Sequence, residues 1–295
     1  MKEGITYRQL RQQAAVLLGK HEVPDADIDA RLLLQDAAGC SGAELVLREK
    51  DPVPGPVWEK YQRAVRMRCC RMPLQQITQR ADFMGIPLKV SDQVLIPRQD
   101  TETLAEEAIR RIQAAKDGKD SAIAGTRIRV LDLCTGSGCL IISLCRFCPG
   151  IEAVACDISE SALDIARQNA ENSGADVTFL QGDLFEGVEG KFDFILSNPP
   201  YIRTEDIRSL MEEVRDHEPR IALDGGTDGL RYYRRIAQQA PRYLKSGGNL
   251  LLEIGADEGE DVCAILSHFG FCGISVIRDL AGLDRVVCST FPGKG

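Results

Sequence analysis

Apolar positions recur every three or four residues through about the first seventy residues, the spacing of helices that each bury one face. A first helix, "YRQLRQQAAVLLG", is capped by Thr6 and closes near Gly19. Asp25 precedes a second, "ADIDARLLLQDAAG", with Ile28, Leu32, Leu33 and Leu34 as its apolar face. "SGAELVLREK" is a short third, and after the breaker run "DPVPGP" a fourth covers "VWEKYQRAVRMRCCR", with the only tryptophan, Trp58. From Pro73 to Pro97 the pattern shortens into extended pieces, "ADFMGIPLKV" and "DQVLIP", joined at Gly85-Ile86-Pro87 and Ser91-Asp92, which predicts a hairpin. Asp100 or Thr101 then starts the helix "ETLAEEAIRRIQAA", and the polar stretch 116–126 reads as a loop.

From Ile128 the periodicity alternates between short apolar runs and helical stretches. "IRVLDL", "IEAVACD", "DVTFLQGD", "KFDFILSN" and "GNLLLEIG" read as strands, with helices at "GCLIISLCRFC", "SESALDIARQNAENSG" and 229–244. "GFCGISVIRD" and "DRVVCSTF" add two more strands around a turn at Gly282. Such alternation predicts an α/β fold, a mostly parallel sheet covered on both faces. The expected domains are therefore a helical one at 1–72, a β-hairpin linker at 73–98 and an α/β domain at 99–295.

Composition narrows the function. The 295 residues carry a net charge of −8, which gives no overall basic field for a polyanion. Arg63, Arg66, Arg68 and Arg71 read as the solvated face of a helix. No apolar run reaches the ~20 residues of a membrane helix, and "MKEGITYRQL" lacks the apolar core of a secretory signal. The expectation is a cytoplasmic protein without a membrane partner. Eleven cysteines are scattered along the chain. Cys145 and Cys148 form a C-x-x-C, but with three histidines and no second pair the thiols read as small core residues, with no metal site.

Two motifs carry chemistry. "VLDLCTGSGC" turns from strand to helix through Thr135-Gly136-Ser137-Gly138, where glycines let backbone amides approach a ligand. A dinucleotide fingerprint would place glycine or alanine at 141, which is Ile141. Asp132 just before the loop is unwelcome to a pyrophosphate and suits an ammonium. Asp157, ending the next strand, suits ribose hydroxyls, and Asp183 after the third strand is placed for an adenine amino group. A cationic ligand with ribose and adenine, S-adenosylmethionine, fits all three.

The second motif is Asn198-Pro199-Pro200-Tyr201, delivered by "FDFILS" to the rim of the sheet. Proline fixes φ and restrains the residue before it, so the Asn198 side-chain oxygen and the Pro199 carbonyl become two acceptors on a rigid frame. Two convergent acceptors suit a planar NH2 group, with Tyr201 as a flat wall beside it. The motif alone leaves adenine and glutamine both open.

These residues resemble the class I S-adenosylmethionine-dependent methyltransferases with an N-P-P-Y motif, and within them the PrmC/HemK family, glutamine-N5 methyltransferases of peptide chain release factors. The resemblance covers nearly the whole chain, through "MPLQQITQRADFMGIPLKV", "DLCTGSG", "NPPYI", "EPRIALDGGTDGL" and "DLAGLDRVV", with "IPRQDTET" the sharpest marker. It implies that Asp132 and the loop Cys134, Thr135, Gly136, Ser137 and Gly138 hold the methionine part of the cofactor. Asp157 with Ile158 would take the ribose, and Asp183 with Leu184 would flank the adenine. Asn198, Pro199, Pro200 and Tyr201 would bind the substrate amide, Arg98, Thr101 and Glu102 would shape the cofactor side, and the helical domain would dock the release factor. Three positions depart from the family: Cys134 stands for its first loop glycine, Gln76 for an aromatic and Asp100 for a glutamate. A ribosomal-protein glutamine methyltransferase, an adenine-N6 methyltransferase and a non-catalytic cofactor-binding protein are the alternatives. Glu218 is expected on the pocket rim and His217 on the surface.

Overall fold

The computed structural model describes residues 4–117 and 127–293. The expected loop therefore lies outside the described residues from 118 to 126, while 116 and 117 belong to a helix. The chain divides into two units, one of residues 1–80 with 211–217, the other of 81–210 with 218–295.

The first unit holds α1 (Tyr7–Lys20), α2 (Ala26–Ala38), α3 (Gly42–Leu47), α4 (Gly55–Cys69) and α5 (Leu74–Thr78). Thr6 and Gln9 form a reciprocal capping box at α1, and Ser41 with Glu44 forms another at α3, so two orphan backbone donors are satisfied at each start. The core gathers Leu10, Leu18, Leu33, Leu34 and Tyr61, whose hydroxyl donates to the Ala30 carbonyl at 2.9 Å. Two expectations need correction. Ile28 is 48% exposed, because the buried stripe of α2 is Asp29, Ala30, Leu33 and Leu34. And 74–78, expected to belong to the hairpin linker, is helical: the buried Gln76 side chain donates to the His217 carbonyl at 2.8 Å.

The second unit opens with the hairpin β1 (Arg80–Phe83) and β2 (Ile86–Lys89), followed by α6 (Gln99–Asp117). "DQVLIP" is no strand, since the Ile96 amide is used by the Glu218 carboxylate instead of a neighbouring strand. Then come β3 (Arg129–Leu133), α7 (Cys139–Phe147), β4 (Glu152–Asp157), α8 (Glu160–Ser173), β5 (Val177–Gln181), β6 (Phe192–Ser197) and β7 (Ile202–Arg203). The chain passes through α9 (Glu212–Arg215) before β8 (Asp224–Gly226), α10 (Arg231–Gln239), β9 (Leu244–Glu253), α11 (Gly259–His268), β10 (Cys272–Arg278) and β11 (Asp284–Thr290).

Seven strands form the main sheet in the order β10-β11-β9-β6-β3-β4-β5, parallel except at β11. Alternate residues on each strand feed opposite faces. Val130, Phe194, Leu196 and Leu251 pack with Leu104, Ala108 and Ile112 of α6 and with α7. Leu131, Leu133, Ile195 and Leu252 pack with Tyr233 and Ile236 of α10 and with Val262 and Leu266 of α11. By the same alternation Asp132 and Glu253 fall on the α6 face.

The excursion through α9 belongs to the helical unit. Arg68 donates through Nε to Asp29 at 2.6 Å and through Nη1 to Glu213 at 3.1 Å, and Arg71 Nη2 donates to Glu213 at 2.7 Å. His217 Nε2 lies 3.1 Å from the Cys70 carbonyl, so this residue is tied to the unit and not a free surface group. Of the four arginines expected on a solvated face, Arg63 and Arg66 are exposed, but Arg68 is buried. Asp29 takes a core position on α2 because this guanidinium meets it there. The eleven cysteines are free, with Cys148, Cys156 and Cys288 buried.

Candidate active site

The direction of strand addition reverses at β3: β4 and β5 extend the sheet one way, β6 and β9 the other. Leu133 and Ser197 are register partners at the carboxyl ends of β3 and β6, and the Ser197 hydroxyl donates to the Leu133 carbonyl at 2.8 Å. The glycine loop and the Asn-Pro-Pro-Tyr segment therefore leave the sheet side by side, at the switch point where open α/β sheets bind ligands.

A cleft of about 970 Å³ opens there. Its wall includes Cys134, Thr135, Gly136 and Ser137 from the loop, Asp157 and Ile158 after β4, and Asp183 and Leu184 after β5. Asn198 and Pro200 close one side with Arg98 and Thr101. Val94, Leu95, Pro97, Ala162, Ile221 and Tyr232 also line it, and none of these was singled out from the sequence. They come from segments far apart in the chain; Pro97 and Ile221 sit inside quoted stretches, "IPRQDTET" and "EPRIALDGGTDGL", whose other residues drew the reading.

The loop turns sharply. Cys134 has φ +59°, Gly136 +55° and Gly138 +79°. A Cβ on Gly138 would stand 3.0 Å from Ile142 Cδ1 and 3.2 Å from Ala166 Cβ, so this glycine seats α7 against α8 and does not line the cleft. A Cβ on Gly136 would meet nothing within 4 Å, which leaves bare backbone facing open space in the cleft wall. Cys134 holds a backbone conformation that glycine adopts at no cost. Its thiol is pushed up by burial and by the Asp157 charge, so it stays protonated.

Asp157 accepts the Gly136 amide at Oδ2 and the Ser159 amide at Oδ1, both at 2.9 Å. Each oxygen keeps a further lone pair for a ligand hydroxyl. Burial raises its pKa and the Ser159, Gly136 and Ile158 amides draw it back. Asp183 is bound by Arg235 at 2.8 Å, which leaves one oxygen uncommitted. Arg98 donates to Glu218 at 2.6 Å, so Glu218 acts by steadying a cleft residue.

Besides Gly138, four expected site residues lie elsewhere. Asp132 is fully buried behind the loop; the Thr135 hydroxyl donates to its Oδ2 at 2.6 Å, and its Oδ1 has no partner. Burial raises its pKa to about 7, with the Asp157 charge adding to the effect. Glu102 turns away because its carboxylate accepts the Met84 amide at 2.7 Å and fixes the β1–β2 turn. Pro199 is buried beneath the rim. Tyr201 packs into the α10–α11 side of the core, so it is no wall of the cleft; burial lifts its phenol to about 12.

Asn198 Nδ2 donates to the Thr101 hydroxyl oxygen at 3.3 Å, which leaves Oδ1 as the uncommitted acceptor of that amide. Beyond them stands a residue the sequence reading passed over, Glu253 at the end of β9. It is 1% exposed, and its Oε2 has no partner. Burial raises its pKa to about 7 against the lowering contacts of Thr101, Arg285 and Asn198. Its only sequence signal is an acid ending the apolar run "NLLLE".

The wall suits a cationic nucleoside: acceptor oxygens on Asp157 and Asp183, exposed loop backbone at Gly136, and apolar flanks at Ile158 and Leu184. A sheet of this order, with one antiparallel strand and a cleft at the switch point, is the class I methyltransferase fold. Solved structures share it: a methyltransferase from Pyrococcus furiosus has a TM-score of 0.50 at 18% identity, over 72% of this chain and 91% of that one. The hMettl16 catalytic domain in complex with MAT2A 3′UTR hairpin 6 gives 0.55 at 16% identity, over 77% and 82%. The family model "Methyltransferase small domain" matches residues 121–273, and "PrmC N-terminal domain" matches 9–78. A release factor glutamine methyltransferase of Geobacter sulfurreducens is 38% identical, over 96% of this chain and 95% of its own. One of Agrobacterium fabrum is also 38% identical, over 90% of each. The chain belongs to the release factor glutamine methyltransferase family.

Proposed function

We propose that this chain transfers a methyl group from S-adenosylmethionine to the side-chain amide nitrogen, N5, of the glutamine in the Gly-Gly-Gln loop of peptide chain release factors. The observation that carries this is Asn198 at the switch-point cleft, its nitrogen given to Thr101 and its oxygen left to accept. Asp157 would hold the ribose hydroxyls, Asp183 and Leu184 the adenine, and the loop from Cys134 to Ser137 the methionine part. When bound, the cofactor supplies an electrophilic methyl on a sulfonium.

An amide nitrogen is a poor nucleophile because its lone pair is delocalised. Asn198 Oδ1, accepting a hydrogen of the substrate NH2, draws density back to nitrogen and holds it in line. The protein's share is positioning and electrostatics. The helical unit docks the release factor in this reading. A cytoplasmic setting suits the substrate and the eleven free thiols. Among the described residues no helix is long and apolar enough to cross a membrane.

The test is Asn198→Ala with a release factor as methyl acceptor and mass spectrometry to place the methyl. Turnover is expected to fall by roughly 10²–10³, with cofactor affinity by calorimetry unchanged. Full turnover in the variant sinks the mechanism, and methyl on another residue sinks the substrate assignment.

A further inference from the structure

A buried carboxyl with an empty oxygen needs a reason, and Glu253 stands one side chain behind the amide that receives the substrate. β9 carries it on the α6 face of the sheet, where the first turn of α6 presents Thr101. Thr101 is 2% exposed and Glu253 1%, so water does not compete at either. Helix α6 starts here, and unsatisfied amides at a helix start favour an anionic carboxylate nearby.

The hydroxyl of Thr101 has one hydrogen to give. Its oxygen already accepts from Asn198 Nδ2 at 3.3 Å, so its own hydrogen is free for the Glu253 carboxylate. An ionised Glu253 can only accept, and that fixes the direction of the whole chain. In this arrangement Asn198 nitrogen donates to Thr101, Thr101 and Asn198 both turn hydrogens toward Glu253, and Asn198 oxygen is left for the cleft. If Glu253 gains a donor, by protonation or as glutamine, Thr101 can donate to Asn198 instead. The Asn198 amide then turns over and shows its NH2 to the substrate NH2, donor against donor.

We propose that Glu253 is a positioning residue that, through the Thr101 hydroxyl, sets which way round the Asn198 amide sits and so makes it an acceptor for the substrate. This rests on the function proposed above and adds the determinant of its amide specificity. The titratable groups facing Glu253 are Asp100 from the start of α6, Arg285 from β11, Tyr201 after β6, Tyr233 from α10 and Cys139 from α7. Arg285 favours the anion and Asp100 opposes it, but Arg285 is itself bound to Asp279 at 3.1 Å and to the Ile254 carbonyl, so it does not close on Glu253. Tyr201, Tyr233 and Cys139 all have raised pKa values and stay neutral where Glu253 ionises.

The experiment compares wild type, Glu253→Gln, Thr101→Val and Thr101→Ser with an intact release factor. Glu253→Gln and Thr101→Val are expected to lower kcat by roughly 10–10²-fold, within the effect of losing one preorganised contact, with cofactor Kd unchanged in Glu253→Gln. Thr101→Ser keeps the hydroxyl and should restore most of the kcat that Thr101→Val loses. Wild-type kcat should rise as pH passes through about 7, and Glu253→Gln should lack that rise. In cofactor-free protein, the side-chain amide NMR signals of Asn198 should differ between wild type and Glu253→Gln at alkaline pH. A Glu253→Gln enzyme within twofold of wild type, Thr101→Val as active as Thr101→Ser, or unshifted Asn198 signals would each overturn the proposal. A wild type that methylates no release factor instead removes the proposed function, whatever the Asn198 signals show.

Discussion

The two units handle buried charge in opposite ways. In the helical unit Arg68 meets two carboxylates, Asp29 and Glu213, and Arg71 shares the second. Burial alone would raise the Glu213 pKa, but Arg71 and Arg68 bring it below the usual carboxylate value. In the α/β unit Asp132 and Glu253 are as deeply buried, yet each keeps an oxygen without a partner, and both pKa values rise to about 7. A paired network of this kind serves folding, because it stitches residues 211–217 to the helices. Partly unpaired acids behind a cleft do not serve folding; each costs stability whenever it ionises, and both stand behind loops that line the cleft.

The largest test of this contrast is Arg68→Ala. It strands the buried Asp29 and takes one of two guanidinium partners from Glu213, and breaking such a buried pair costs roughly 3–5 kcal/mol. Thermal unfolding of the whole protein should show an early transition for the helical unit, while calorimetry finds cofactor affinity unchanged. A variant as stable as wild type would show that the ion pairs are decorative.

The acids of the α/β unit give an effect of opposite sign. Asp132 has its folded pKa raised from 3.8 to about 7. Its contribution to stability is fully present below the unfolded value and is lost as pH rises through about 7, by an amount on the order of a few kcal/mol. Asp132→Asn removes that loss. Melting temperatures of cofactor-free protein should be higher for the variant at about pH 8 and converge with wild type near pH 4. A variant less stable than wild type at the alkaline end would mean that Asp132 is paired in solution, and the contrast between the units would dissolve.

How much of this was legible beforehand follows the same division. The strands and helices of the α/β unit announce themselves by periodicity, and the residues at successive strand ends could be placed because strands end where apolar runs end. Asn198, Asp157 and the loop were readable for that reason. Ile28 was misread because Asp29 holds a core position only by virtue of Arg68, thirty-nine residues away. Glu102 and Tyr201 carried the right neighbours in sequence but spend their side chains on the Met84 amide and on the core. Glu253 gave almost no signal, since a single acid after three leucines looks like any strand end. What decides its role is the approach of α6, a contact between residues far apart in the chain.

The smallest expected effect concerns Cys134, where the chain departs from glycine. An L-residue at φ +59° carries strain of roughly 1–2 kcal/mol, which glycine would relieve. Glycine also gives the unfolded chain more freedom, worth about 0.4–1 kcal/mol, and gives up the packing of a partly buried thiol. The two sides nearly cancel, so Cys134→Gly should leave the melting temperature within a few degrees of wild type and cofactor affinity within about threefold. Cys134→Val supplies the control, because a β-branched side chain is far worse in this conformation than cysteine. It should destabilise by more than about 1 kcal/mol and weaken cofactor binding, since the loop must move to accept it. If glycine and valine behaved alike, the left-handed turn at Cys134 would not be what shapes this wall of the cleft, and the contrast between the two units would have to rest on the buried acids alone.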